Sequence, residues 1–379
     1  MQNRNRHTSS GHRTLLFGVL CLFGFCLLAQ KPVTGPQKKQ SAGTQAGQVK
    51  QSDKGKQSQQ PKSKVYLLHS DLLRKDSRHP DAQVVVGNVA FRHDSMYMYC
   101  DSAYYYDKIN SFEAFSNVKM EQGDTLFVYG DRLYYDGMTQ IAQVRENVRM
   151  ENRNTTLLTD SLNYDRLYNL GYYFDGGTLM DEQNVLTSEW GEYNPKTKQS
   201  VFNYNVKLVN PQFTLTSDTL RYNTATKIAD IVGPSDIYSD QNHIYSELGT
   251  YNTVTGKADL YNRSVITNEG KQLTGDTLFY DRNSGVGEAF SNMVMTDTIN
   301  KNMMTGDYGY YNDKTKYAFA TKKAVAVDYS QGDSLFLHAD TLMMVTFHLD
   351  TDSMFREMRA FHKVRFFRTD LQGTADSLV

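Results

Sequence analysis

Apolar and polar residues alternate in short runs along most of the chain after residue 65. From Asp276, the side chains of Asp276, Leu278 and Tyr280 fall on one face of an extended chain, and those of Thr277 and Phe279 fall on the other. Successive side chains of a strand point to opposite faces, so this period of two predicts a β-strand. One face of the predicted strand ends in a tyrosine.

Turn-forming residues follow that tyrosine, as in Asp281-Arg-Asn-Ser-Gly285 and Asn252-Thr-Val-Thr-Gly256. Asp or Asn at the first position can accept hydrogen bonds from the backbone two residues on, and the last position suits a left-handed residue. A second alternating run comes next, as in Ala289–Met295. The pattern therefore predicts antiparallel hairpins with about four loop residues.

The same unit recurs, and its anchor is a small residue, an acid and a run ending in Tyr and Asp or Asn. From Asp131 to Asp276, successive anchor acids are separated by 29 residues five times in a row. A fixed period of this kind indicates a repeat protein, since one hairpin alone buries too little apolar surface to be stable. The anchors are Gly130-Asp131, Thr159-Asp160, Ser188-Glu189, Ser217-Asp218, Ser246-Glu247, Gly275-Asp276 and Gly306-Asp307, with looser copies at Ser70-Asp71, Cys100-Asp101, Ala339-Asp340 and Ala375-Asp376.

A second pattern concerns the position two residues after each acid. From Leu162 onward this position alternates between leucine and glycine, as in Gly191, Leu220 and Gly249. A glycine in a strand marks a bend or a close approach, so we expect a bulky residue of a neighbouring repeat to fill each gap. The sequence therefore predicts an all-β fold, an elongated antiparallel folded sheet built from two-strand repeats of about 29 residues.

The N-terminal part has a different composition. Arg4, Arg6 and Arg13 precede an apolar stretch that ends at Ala29, which predicts a signal peptide over residues 1–29, with an uncleaved signal anchor as the alternative. Residues 30–64 are rich in Gln, Lys and Ser and predict a disordered linker. Its charge of +7 fits either a solvated tether, which we favour, or contact with anionic head groups. The repeat domain is predicted over residues 65–379.

Charge and cysteine content exclude several classes. The formal net charge of the 379 residues is −1, but residues 65–379 carry −11, so no basic face for nucleic acid is expected. Cys21 and Cys26 lie in the apolar N-terminal stretch, which leaves Cys100 alone in the exported chain and allows no internal disulfide. Cys100 occupies the small-residue position of its anchor, so we interpret it as structural.

No residue constellation predicts catalysis, a metal ion or a cofactor. The acids recur in every repeat, whereas an active site needs a unique arrangement. We therefore interpret each carboxylate as accepting backbone hydrogen bonds where its strand bends. The nine histidines are scattered without metal-ligand spacing and are expected to be mostly solvated. The chain is predicted not to be an enzyme.

Two columns of side chains share the inward face and are the candidate lipid-binding residues. The apolar body of tyrosine can line a groove while its hydroxyl stays wet at the rim. The alternative is a self-filled core that binds nothing, and composition does not separate the two. The candidates are Leu133, Tyr135, Leu162, Tyr164, Tyr193, Leu220, Tyr222, Tyr251, Leu278, Tyr280 and Tyr311.

The repeated motifs resemble the OstA-like family, which includes LptA and the N-terminal part of LptD. Asp276-Thr-Leu-Phe-Tyr-Asp281, Ala289-Phe-Ser-Asn-Met293 and Ala114-Phe-Ser-Asn-Val-Lys-Met120 carry the resemblance. It implies a periplasmic β-jellyroll in a Gram-negative envelope that shields the acyl chains of lipopolysaccharide in a hydrophobic groove. It also implies LptC-like and LptD-like envelope partners.

The chain departs from that family pattern in its length and near its end. Later spacings between acids drift to 33 and 36, and Phe347–Arg359 contains an insertion expected as a loop or a short helix. The last residues, Ala375-Asp-Ser-Leu-Val379, begin an anchor without its Tyr, so we expect a truncated repeat with an open edge. Such an edge favours end-to-end self-association.

Three functions are compatible with the sequence. The first is transport or scaffolding of lipopolysaccharide through the interior of the sheet. The second is a non-enzymatic envelope scaffold with a closed core that binds protein partners through its ends or edges. The third is a parallel β-helix enzyme acting on polysaccharide, which is least favoured because the hairpin turns argue for antiparallel strands.

Overall fold

The computed structural model describes residues 63–379, and the predicted signal peptide and nearly all of the predicted linker lie outside the described residues. Residues 63–379 contain one 28-stranded antiparallel sheet, in which each long strand pairs with the next along the chain. The predicted all-β class and antiparallel folded sheet are confirmed. Because every strand pairing is antiparallel in this part of the chain, the parallel β-helix is excluded for it.

Two short strands followed by six long ones form the N-terminal part of the sheet, and a single 3-10 turn, Asp107–Ile109, lies between two of the long strands. Their bounds are β1 (Tyr66–His69), β2 (Leu72–Asp76), β3 (His79–His93), β4 (Met96–Tyr106), β5 (Ser111–Gln122), β6 (Leu126–Asp136), β7 (Ile141–Asn152) and β8 (Thr155–Asp165). From β3 to β8, each strand continues unbroken along its length, and a short turn connects it to the next strand.

In the middle of the sheet most strands are divided in two at their midpoints. The strands of this part are β9 (Leu170–Tyr173), β10 (Gly177–Asp181), β11 (Asn184–Ser188), β12 (Trp190–Tyr193), β13 (Gln199–Asn210), β14 (Phe213–Asn223), β15 (Ile228–Ile231), β16 (Ser235–Ser239), β17 (Asn242–Ser246), β18 (Leu248–Asn252), β19 (Lys257–Tyr261), β20 (Val265–Asn268), β21 (Lys271–Thr274) and β22 (Thr277–Asp281), of which β13 and β14 remain undivided. The two halves of a divided strand pair with the two halves of the same neighbour, as β15 does with β18 and β16 with β17.

Long strands return in the C-terminal part of the sheet. The insertion expected within Phe347–Arg359 is a turn over residues 348–354 between two strands, and it contains no helix. The strands are β23 (Val286–Asp297), β24 (Asn302–Asn312), β25 (Tyr317–Asp328), β26 (Leu335–Phe347), β27 (Phe355–Arg368) and β28 (Leu371–Leu378).

The hairpin turns have the predicted geometry. Asp136 and Ile141 flank a four-residue loop, and Asp136 Oδ1 accepts a hydrogen bond from the Met138 backbone at 2.8 Å. Gln140 closes this turn at a φ of 61°, and Gly256 closes an equivalent turn at 68°. The Asx residue and the left-handed closing residue therefore set the register of the hairpins.

Bulges fold the long strands at their midpoints. In β5, Ser116 and Asn117 both have positive φ, and the pairing register shifts between Phe115 and Val118. Such extra residues bend a strand sharply. Equivalent consecutive pairs occur at Gly87-Asn88, Glu146-Asn147, Tyr204-Asn205, Asn262-Arg263, Ser291-Asn292, Lys322-Lys323 and His362-Lys363.

The two halves of each folded strand belong to two walls that face each other across one core. Phe91, near the end of β3, stacks on Phe112, near the start of β5, with ring centroids 4.1 Å apart. These residues occupy opposite ends of their strands, so the contact crosses between the walls. Side chains from both halves of the strands belong to one buried apolar cluster that extends from Val65 to Val364.

The repeated acids have a structural role at the bends, as predicted, but the predicted backbone donors are wrong at the best-defined sites. Asp131 Oδ2 accepts a hydrogen bond from Asn147 Nδ2 at 2.5 Å, and Asp276 Oδ2 accepts one from Asn292 Nδ2 at 2.7 Å. Asn tolerates positive φ, so one residue type both forms the bulge and caps the acid. Near the C-terminal end Lys323 replaces the amide and lies 3.3 Å from Asp307.

The alternation of Leu and Gly has the expected packing reason at Gly191 and Gly309, whereas a Cβ built on Gly249 would collide first with the backbone oxygen of Asp259. A Cβ built on Gly191 would lie 2.5 Å from the Tyr173 hydroxyl, and one built on Gly309 would lie 2.6 Å from Met293 Cε. Neighbouring side chains therefore occupy both gaps.

Candidate functional site

The two predicted columns point into the space between the walls. Leu133, Leu162, Leu220 and Leu278 are buried, as are the tyrosines from Tyr135 to Tyr280, whereas Tyr311 is only partly buried. Phe279, on the opposite face of its strand, is 36% exposed. These side chains therefore face the interior between the walls, and lipid binding by them stays a prediction.

A row of small residues makes room for the tyrosine rings. Tyr135 lies opposite Ala142 in the next strand, and Tyr164 lies opposite Gly171. A large ring over a small neighbour fills the interior without overcrowding adjacent strands. The remaining pairs are Tyr193 with Ser200, Tyr222 with Ala229, Tyr251 with Ala258, Tyr280 with Gly287 and Tyr311 with Ala318.

The tyrosine hydroxyls cross to polar side chains at the ends of the strands in the opposite wall. The Tyr135 hydroxyl shares a 2.6 Å hydrogen bond with His93 Nδ1, and the Tyr164 hydroxyl donates to Gln122 Oε1 at 3.2 Å. These partners are 42 residues apart in the chain, and Tyr193 donates in the same way to Asn152 at 3.3 Å. The hydroxyls therefore join the two walls instead of facing water at the rim.

Their partners belong to a longer polar column that the sequence patterns did not predict. Its members recur every 29 or 30 residues and end strands of the second wall, two residues after an apolar position of the alternating run. This regular spacing could have identified the column. Polar residues next to turns are ordinarily solvated, however, so nothing in the sequence indicated their burial. The column is His93, Gln122, Asn152, Asp181, Asn210, Ser239, Asn268 and Asp297.

Asp181 is the most strongly bonded member of this column. It is 1% exposed, its two carboxylate oxygens each lie 2.8 Å from Lys227 Nζ, and Oδ2 accepts from the Tyr222 hydroxyl at 2.8 Å. The Tyr222 hydroxyl also accepts from Asn184 Nδ2 at 2.9 Å. Burial raises the pKa of Tyr222, and the Asp181 charge raises it further. The walls are tied firmly at this point.

His93 departs from the expectation that the histidines are mostly solvated. It is fully buried, and burial followed by the charge of Arg166 lowers its pKa. Burial raises the pKa of its partner Tyr135 to about 12. Arg166 lies 3.0 Å from Asp94, so an ion pair closes the interior beside the His93–Tyr135 bond.

At Tyr251 the link to the opposite wall is indirect, because Arg282 follows β22 in the same wall as Tyr251. Arg282 donates to the Tyr251 hydroxyl at 3.1 Å and also to Gln212 in the turn between β13 and β14. We call the interior from Tyr135 to Tyr251 the closed stretch. The inter-wall hydrogen bonds of the Tyr135, Tyr164, Tyr193 and Tyr222 hydroxyls are between 2.6 and 3.3 Å long.

The interior is less completely filled from Tyr280 onward, and we call this part the open stretch. The Tyr280 hydroxyl is buried without a hydrogen-bond partner among residues 63–379. Inter-wall contacts are longer there, with Lys271 Nζ 3.4 Å from the Tyr311 hydroxyl and Lys316 Nζ 3.9 Å from Glu269. After Tyr311 the tyrosine position is taken by Met344, which pairs with Ala318.

A cavity of about 430 Å³ occupies the end of the open stretch. Its apolar lining includes Met303, Met304, Ala326, Leu337 and Met344. Small residues such as Ala326 fill less of the space between the walls than the rings of the closed stretch do. The cavity is of the size that holds part of an acyl chain or a small apolar ligand.

Basic side chains lie beside this apolar space. Lys271, Lys316 and Arg356 line one narrow cavity together with Met295 and Met304. That cavity shares Met304, Met344 and Arg356 with the larger one. The open stretch therefore combines an apolar interior with charged groups, which also include the carboxylates of Asp297, Asp328 and Glu357.

Other chemical features of the described residues are limited. Within residues 63–379 no three His, Cys, Asp or Glu side chains lie close enough to hold a metal ion. Cys100 is buried, and burial raises its pKa to about 12, which disfavours the nucleophilic thiolate. No helix in this part of the chain is long and apolar enough to cross a bilayer.

Comparisons with known proteins agree with the resemblance noted in the sequence. The model of the family described as OstA-like protein matches residues 62–218, so the resemblance to that family is confirmed over this part of the chain. No curated protein matches the chain.

A solved structure is also similar to this chain. It is LptH of Pseudomonas aeruginosa, described as the LptA-homologous periplasmic component of the conserved lipopolysaccharide transport device. It is 14% identical with a TM-score of 0.25, and the match covers 26% of this chain and 76% of LptH.

Proposed function

We propose that this protein binds lipopolysaccharide and carries or scaffolds it across the periplasm for outer-membrane assembly. The apolar interior between the two walls, which widens into a cavity of about 430 Å³, is the observation that carries the proposal. The OstA-like match over residues 62–218 supports the transport class. The proposal includes export to the Gram-negative envelope, LptC-like and LptD-like partners, and end-to-end self-association.

The eleven predicted inward residues are the proposed lipid-binding surface, with different roles along the interior. Tyr280 and Tyr311 line a small cavity of about 30 Å³, and Tyr311 also lines the narrow cavity that adjoins the larger one, so these two residues are proposed to meet the lipid first. The other nine residues are buried against neighbours, and acyl chains would reach them only where the walls part. Tight packing leaves no space for a chain without such a movement.

Photo-crosslinking in the intact cell envelope tests the proposal. An aromatic photo-crosslinker at Tyr311 should capture lipopolysaccharide, because this partly buried side chain borders the cavities. The matched control is Tyr308, which lies three positions earlier on the same strand and contacts the outward-facing Phe290 at a centroid distance of 4.9 Å. Equal capture at both positions, or none at either, would contradict lipid binding in the interior.

A non-enzymatic scaffold that binds protein partners is the second candidate function. The closed stretch favours it, because inter-wall bonds such as Tyr222–Asp181 leave that part of the interior filled. A scaffold would retain its partners when the cavity is blocked, whereas a lipid carrier would lose its ligand. Affinity purification of a cavity-filled variant, followed by lipid and protein analysis, separates the two functions.

A further inference from the structure

Lys271 holds a positive charge in an unusual position. It begins β21 at the rim of the open stretch, is half-buried, and makes no ion pair within 4.0 Å among residues 63–379. Its nearest polar contact is the Tyr311 hydroxyl at 3.4 Å. Burial, and then the charges of Arg356 and Lys316, lower the pKa of Lys271. A partly buried cation without a counter-ion is costly to the fold, which favours a functional explanation.

The surrounding carboxylates are engaged by other groups. Asp297 accepts from the Asn300 backbone at 2.9 Å and from Asn300 Nδ2 at 2.6 Å, and it lies 3.4 Å from Arg356 Nη1. Asp313 pairs with Lys316 at 3.1 Å, and Glu269 lies 3.9 Å from the same ammonium. The charge of Lys271 is therefore the one left without a direct partner in this cluster.

The position of Lys271 connects this charge to the apolar cavity. Lys271 and Arg356 line the same narrow cavity, and Arg356 also lines the cavity of about 430 Å³. Met304 and Met344 belong to the linings of both. An acyl chain among the methionines would thus place a head group beside Arg356, with Lys271 on the adjoining narrow cavity.

We propose that Lys271, assisted by Arg356, binds the anionic phosphate head group of an amphiphile whose acyl chain lies in the cavity of the open stretch. The inference rests on the proposed function and adds to it the position and charge of the head group. A phosphate would supply the counter-ion that Lys271 lacks, through charge-assisted hydrogen bonds that are stronger than neutral ones. Lys271 is the better residue to substitute, because a substitution of Arg356 would also remove the ion pair with Asp297.

Two detergents with the same chain and different head groups test the assignment on the full-length protein. Dodecyl phosphate should bind more tightly than dodecyl maltoside when both are measured by calorimetry below their micelle concentrations. Lys271→Gln should weaken dodecyl phosphate binding about tenfold, as expected for the loss of one hydrogen bond between charged groups, and leave dodecyl maltoside within about twofold. Lys257→Gln, at an exposed lysine of the neighbouring repeat, is the matched control and should change neither.

A second variant tests the cavity. Ala326→Trp should weaken the binding of both detergents, and Ala326→Leu should do so to a smaller extent and serves if the Trp variant does not fold. Inorganic phosphate should compete poorly, because it lacks the chain. Equal competition by inorganic phosphate would overturn the proposal in favour of a simple anion site.

The outcomes also separate this inference from the proposed function. If Lys271→Gln leaves dodecyl phosphate binding intact while lipopolysaccharide is still captured at Tyr311, the head-group assignment is wrong and the proposed function stands. If capture at Tyr311 fails while dodecyl phosphate still distinguishes Lys271→Gln from the control, the site binds another anionic amphiphile. Failure of both would contradict both proposals.

Discussion

The closed and open stretches are built from the same repeat but differ in what fills the interior. In the closed stretch each tyrosine ring of the column lies over a small residue, and the hydroxyls from Tyr135 to Tyr222 bond to the opposite wall, as Tyr193 does with Asn152 at 3.3 Å. In the open stretch Tyr280 has no such partner among the described residues, and Met344 replaces the next tyrosine after Tyr311. A few substitutions in a repeat are therefore enough to turn a packed core into a cavity.

The largest difference is expected when the strongest tie between the walls is broken. Asp181→Ala leaves the partly buried Lys227 with only the solvent-exposed Glu182 as a counter-ion and should lower the free energy of unfolding by about 3 kcal/mol. The matched control is Asp236→Ala, because Asp236 pairs with His243 at 2.7 Å but is partly exposed to solvent, so at most about 1 kcal/mol should be lost. Urea unfolding followed by circular dichroism measures both. Similar losses in the two variants would show that the closed stretch is not held by Asp181.

Removing single hydroxyls compares the two stretches more sharply. Tyr222→Phe deletes a hydroxyl bonded to Asp181 and Asn184 and should cost about 1.5–3 kcal/mol. Tyr280→Phe deletes a buried hydroxyl without a partner among residues 63–379 and should be neutral or stabilising. The same urea experiment measures both variants. A larger loss for Tyr280→Phe would reverse the assignment of closed and open stretches.

Much of this organisation follows from the sequence, and the exceptions have physical causes. Local alternation of residue types sets the period of 29, the Asx turns at residues such as Asp136 and the inward side of the Tyr and Leu columns. This alternation can be read from the sequence itself. The burial of His93 and Asp181 depends on contacts about 41 residues away across the walls, and local patterns do not encode them. The cavity is a difference in volume among Ala326, Met344 and their neighbours, which becomes apparent only after packing.

The two glycine gaps provide a further comparison. Gly191→Ala places a methyl group 2.5 Å from the Tyr173 hydroxyl, within a packed region, and should cost about 1–3 kcal/mol. Gly309→Ala meets the flexible end of Met293 near the open stretch and should cost less, because that side chain can move. Thermal melting of the two variants checks this order. Equal losses would indicate that the open stretch is as rigid as the closed one.

The smallest expected effect is a dependence on pH in the closed stretch. Because the pKa of His93 is lowered in the folded protein, the unfolded chain binds the proton more readily, and stability should fall as pH drops below about 6.5. The loss is at most about 1.4 kcal/mol per pH unit. His93→Gln should flatten this part of the urea midpoint profile. An unchanged slope in that variant would assign the acid sensitivity to other groups, such as Asp94.

The most direct test of the difference between the stretches is fluorine NMR of variants that each carry one 3-fluorotyrosine. This probe adds one fluorine to each tyrosine and leaves the hydroxyl contacts in place. The added ligand is a dodecyl phosphate with a nitroxide spin label on its chain. The account predicts strong paramagnetic broadening at Tyr311 and Tyr280 and little at Tyr164 and Tyr222. Equal broadening at all four positions would contradict a closed stretch, and broadening at none would contradict an interior that admits an acyl chain.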